Sequence, residues 1–151
     1  CGLNIERSTL NFQRSVTHHA AGAINADQER AMLAYAQLAA LSQQKRQLPS
    51  RDKFLILAAA AGCRGGWPDV SERCRELVLS NNPAHLIKNS ATFVESMRTP
   101  EFEQFLKQLE RFCSGEKAEH LLTELGIDIP MPTANDTRTV GEIAHSLLDF
   151  E

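Results

Sequence analysis

Phe54-Leu55-Ile56-Leu57-Ala58-Ala59-Ala60-Ala61 is the longest apolar run in the chain. Crossing a bilayer takes roughly twenty such residues, so a run of this length belongs inside a folded domain. Its second half is four alanines, which lose no side-chain entropy in a helix and add little to a pleated surface. A helix that is apolar around its whole circumference must be enclosed by neighbours. The run therefore predicts a central helix over 51–62, capped by Ser50 just after Pro49, with other helices sheathing it.

Composition supports the same architecture. Alanine and leucine supply 18 residues each, against 5 valines and 7 isoleucines. Unbranched side chains keep more rotamer freedom in a helix than β-branched ones. With 151 residues and 42% hydrophobic content, the chain fits one domain that buries its own core. The predicted fold is all-α: six or seven helices in a bundle, or a short stack of helix pairs, around the central apolar helix.

Punctuation on either side places the other elements. Asn25 with Gln28 has capping-box spacing and predicts a helix from there to about Leu48, with Met32, Tyr35, Leu38 and Ala39 on one face. Asp69 is the expected cap of a helix over 70–80 with Val70, Cys74, Leu77 and Val78 inward. Pro83 opens a predicted helix over 84–98, with Leu86, Ile87, Ala91, Val94 and Met97 along one side. Thr99-Pro100-Glu101 starts the clearest helix, in which Phe102, Phe105, Leu106, Leu109 and Phe112 form a stripe. Ser114 or Gly115 opens a short helix that Gly126 closes, and Thr139 with Glu142 forms the capping box of a last amphipathic helix. The pairs 51–80 and 84–113 recur at about 33 residues, a solenoid-like spacing. The expected organisation is an N-terminal arm (1–24), a helical core (25–126), a linker (127–138) and a C-terminal helix (139–151). That last helix is expected either to pack on the core or to be offered to a partner.

Charge is uneven. Residues 1–115 carry 14 basic and 11 acidic side chains, whereas 116–151 carry 2 and 8. The acidic end suits contact with the rest of its own domain, docking on a basic partner, or a plain solvated surface. Lys45, Arg46, Arg51 and Lys53 form the one basic cluster, with Asp52 among them and no aromatics to stack on bases. It predicts at most weak nucleic-acid binding. Cys1, Cys63, Cys74 and Cys113 include no C-x-x-C pair, as in a reduced cytoplasmic protein. The alternative for Cys1 is the mature N-terminus of a bacterial lipoprotein.

Three groups of residues carry chemical possibilities. Cys113, Glu116 and His120 could form a thiol site, since Glu116 and His120 share a helix face and a helix N-terminus lowers a nearby thiol pKa. Cys63, Cys74 and His85 could converge on a metal, although they lack the close ligand pairs of zinc sites. Arg64, Gly65, Gly66, Trp67 and Asp69 hold the only tryptophan in a glycine- and proline-bounded loop, a composition favoured at binding hot spots. The same loop also fits a tryptophan folded back to plug the bundle. Nucleotide-binding, metalloprotease and hydrolase motifs are missing, and no cofactor is implied. The leading expectation is a non-enzymatic interaction module that binds a protein or peptide between its helices, with a homo-oligomer also compatible. A small thiol enzyme or redox protein using Cys113 and His120 is the alternative.

Overall fold

The computed structural model describes the backbone of residues 14–150 and the side chains from residue 25 onward. Most of the predicted N-terminal arm, Cys1 included, lies outside the described residues. In chain order the helices are α1 (Arg14–Gln44), α2 (Leu48–Gly65), α3 (Pro68–Asn81), α4 (Phe93–Ser96), α5 (Pro100–Phe112), α6 (Gly115–Glu124) and α7 (Val140–Leu147). A 3-10 turn, Leu86–Asn89, precedes α4, and there is no strand among the described residues. No described helix is long and apolar enough to cross a membrane.

The octapeptide 54–61 is enclosed as its composition requires: Phe54 is 8% exposed and every other member 2% or less. α2 packs on α1, α3 and α5. It shares the centre with α1, where Met32 to Ala36 are also buried. The interior is thus built on a pair of helices rather than one, and alanines on both let the backbones approach closely. α1 ends in a Schellman turn: Gln47 N–H donates to Ser42 O, Arg46 N–H donates to Gln43 O, and Arg46 takes φ 58°. This tight reversal sends α2 back along α1.

Several boundaries differ from those predicted. α1 is already helical at Arg14, so Asn25 and Gln28 lie inside a helix and cap nothing. Asn25 and Gly22 each cost about 1 kcal/mol or less in a helix interior, too little to stop propagation. α2 starts at Leu48 with Gln47 as N-cap, and Pro49 sits in the first turn, where its missing N–H is harmless; Ser50 is interior. α3 starts one residue before Asp69.

The largest departure is at 84–98, which forms no continuous helix. His85 Nδ1 accepts from Ile87 N–H and starts the 3-10 turn, and Thr92 caps the single turn of α4. Arg75 donates to Ser90 O at 2.7 Å, while Glu72 accepts from Phe93 N–H at 2.6 Å. These side chains of α3 take the backbone groups that a continuous helix would have paired internally. Ile87 of the predicted stripe is fully buried, and so is Phe93, which the stripe did not include. Without that helix the 33-residue spacing builds no stack, and the molecule is a bundle.

From residue 99 onward the local signals hold. Thr99, Ser114 and Thr139 cap α5, α6 and α7, and the Thr139–Glu142 capping box is complete. Phe102, Leu106 and Leu109 of the stripe are buried, whereas Phe112, at 41% exposure, lies under the Lys53 ammonium. α6 packs on α1, and α7 packs on α1 and α3, so these two acidic-end helices lie against their own domain.

Candidate functional site

The turn holding Trp67 is set by the end of α2. Gly66 takes φ 87°, Gly66 N–H donates to Cys63 O, and Trp67 N–H donates to Gly62 O at 2.7 Å. This second Schellman turn puts Trp67 at the position whose side chain folds back on the helix it follows. Its indole is half-buried and donates from Nε1 to Glu29 Oε2 of α1 at 2.7 Å. α7 closes over the same ring. A Cβ added to Gly141 would lie 2.5 Å from Trp67 Cε3 and Cζ3, so only glycine permits that approach.

Asp69 pairs with His145 of α7 at 3.0 Å, and Arg73 donates to Leu148 O at 3.3 Å. The hydrogen bond from His145 holds the Asp69 carboxyl below its ordinary value. Gly65 is buried against Gln28 and Glu29, and Gly66 is exposed. The five loop residues therefore divide. Trp67 and Asp69 join α7 to the body, while Arg64 points to another place.

That place is an open cleft of about 820 Å³ where α1 and α2 meet the end of α5 and the start of α6. Its floor is narrow: Ala31 is half-buried, and Tyr35, Leu57 and Ala61 behind it are each 4% exposed or less. Its rim carries the carboxylates Asp27, Glu110, Glu116 and Glu119 and the guanidiniums Arg30 and Arg64. Arg64 pairs with Glu110 at 2.7 Å, and Arg30 with Glu119 at 3.0 Å. Arg64 Nε is buried with no hydrogen-bond partner among the described residues. Tyr35 donates its hydroxyl to Cys113 O at 2.8 Å, and burial pushes its pKa up, so the floor is uncharged. The concavity comes from small residues on helices distant in sequence, which no local motif announces.

The thiol candidates are not assembled. Cys113 is 1% exposed, and burial raises its thiol pKa, opposite to the lowering expected at a helix start. Its Sγ contacts Ser114 O at 3.7 Å. His120 is exposed and pairs with Glu124 at 3.2 Å, while Glu116 lies on the cleft rim.

The metal candidates also stay apart in role. Cys63 Sγ donates to Ser71 Oγ, Cys74 is buried in apolar surroundings that raise its pKa, and His85 caps the 3-10 turn and meets the Phe105 ring edge-on. Among the described residues, no three His, Cys, Asp or Glu side chains are placed to hold a metal ion.

The basic cluster is split. Lys45, Arg46 and Lys53 are exposed, but Arg51 is buried, paired with Asp52 at 2.8 Å and donating to Gln43 Oε1 and Leu77 O. The chain matches no protein-family model, no curated protein and no solved structure.

Proposed function

We propose that the protein is a non-enzymatic interaction module that receives a polypeptide segment in the cleft between α1, α2, α5 and α6. One observation carries this reading: an open concavity of about 820 Å³ with an apolar floor and a rim of ionic groups. Binding sites combine apolar contact with polar groups that fix orientation, and in this cleft the charged rim supplies the larger share. A rigid frame supports it, since Leu57 and Ala61 of the floor belong to the enclosed α2 octapeptide. The thiol, imidazole and metal candidates are dispersed, whereas the cleft, about twice the volume of the 420 Å³ concavity beside Lys53, Ile56 and Phe105, gathers residues of four helices.

Selection of peptides from a random displayed library on the full chain tests the proposal. Ala31 is half-buried on the floor, and Ala31→Trp fills the space. Peptides selected on the wild type should lose more than about tenfold in affinity for this variant, the scale of a blocked hot spot. They should keep it for Lys88→Ala, which lies outside the cleft. Peptides that bind Ala31→Trp as well as wild type would remove the cleft from the function.

A further inference from the structure

We infer that the segment taken by the cleft is basic: an apolar side chain for the floor, flanked by arginine or lysine for the rim. This deepens the cleft reading and rests on it. Among the described residues the rim has four carboxylates and two guanidiniums, a net charge of −2. Both guanidiniums are already engaged, Arg64 by Glu110 and Arg30 by Glu119. Among the described residues that leaves Asp27 and Glu116 as the carboxylates setting the sign of the field at the mouth.

An acidic or phosphorylated segment would meet this field unfavourably and would have to break an ion pair to find a cation. A basic segment meets it as it stands, because complementary charge steers encounter and fixes register. The half-buried Ala31 methyl on the floor offers an apolar side chain a contact beside the charges that a bare cation cannot use.

Three displayed sub-libraries separate this inference from the reading beneath it. Each fixes a leucine and flanks it with arginine and lysine, with glutamine, or with glutamate. They are selected on wild-type chain, on Ala31→Trp and on Asp27→Asn/Glu116→Gln, each variant first shown to melt as a folded helical protein. The expected result is enrichment from the basic sub-library. Its binders should be lost on Ala31→Trp and weakened roughly 2–10-fold on Asp27→Asn/Glu116→Gln, as for two exposed charge contacts, with the difference shrinking at high salt.

Enrichment from the glutamine or glutamate sub-library that Ala31→Trp abolishes would overturn the basic assignment and leave the cleft standing. Basic binders indifferent to Asp27→Asn/Glu116→Gln would also overturn it. Absence of any binder sensitive to Ala31→Trp would overturn both.

Discussion

Glu29 and Arg30 are neighbours on α1, yet they serve two different places. Successive helical residues diverge by roughly 100°, so Glu29 turns to the Trp67 indole and Arg30 to Glu119 across the cleft. On the Trp67 side the space between helices is filled. A large ring occupies it, its N–H is satisfied, and α7 closes over it through Gly141. On the Arg30 side the described residues leave the space open, because Ala31, Ala61 and Gly115 are too small to fill it and ion pairs stand around the edge. The comparison separates hot-spot composition from site. Tryptophan, arginine and glycines together mark where backbone and ring must meet closely, and here that meeting is with the molecule's own C-terminal helix.

If the filled side is structural, damage to it should appear as lost stability. The largest expected effect is Trp67→Ala, which leaves a cavity beneath α7 and orphans Glu29. A fully buried tryptophan costs about 3–5 kcal/mol to truncate; this half-buried one should cost about 2–4 kcal/mol, read by urea denaturation. A change under about 0.5 kcal/mol, the level of an ordinary surface substitution, would mean that the ring is not part of the packing.

Gly141→Ala comes next, at about 1–3 kcal/mol for overpacking one methyl against the ring. Trp67→Leu in the same chain should relieve most of that penalty, since the atoms within 2.5 Å of the added methyl belong to the indole. A Gly141→Ala penalty that persists unchanged in Trp67→Leu would locate the constraint in the helix backbone instead.

Legibility in the sequence followed the range of the interactions. The Thr139–Glu142 box and the Thr99 and Ser114 caps are settled within four residues, and they stand where their spacing put them. The 54–61 octapeptide was equally readable, because an all-apolar helix can be satisfied only by enclosure. The stretch 84–98 was not, since its breaks depend on Glu72 and Arg75 reaching across from α3. Arg51 looked like surface charge until Asp52, Gln43, Leu77 and the Phe150 ring were seen around it.

The Cys113 thiol misled for a related reason. Proximity to a helix start was visible in the chain, but the burial that outweighs it was not. The candidate loop gave only Arg64 to the cleft, whose edge is otherwise closed by pairs such as Arg30–Glu119 that lie 89 residues apart.

The smallest expected effect tests how the filled side is fastened. His145 donates to Asp69 and holds its pKa below the ordinary carboxylate value of about 3.9. A carboxyl whose pKa is lower in the folded than in the unfolded state binds fewer protons when folded. Its stabilisation is therefore present above the unfolded value and is lost as pH falls through the folded one. The pair is largely solvent-exposed, with side chains 63% and 41% accessible, and screening reduces its worth to about 0.2–0.5 kcal/mol.

Asp69→Asn should therefore lower the melting temperature slightly at neutral pH and make no difference well below pH 4, so the two melting curves converge on acidification. Addition of salt should narrow the gap at neutral pH. A gap that stays constant from neutral pH into strong acid would mean that Asp69 acts through its place in the first turn of α3, and that the packing of Trp67 against Gly141 holds α7 without help from charge.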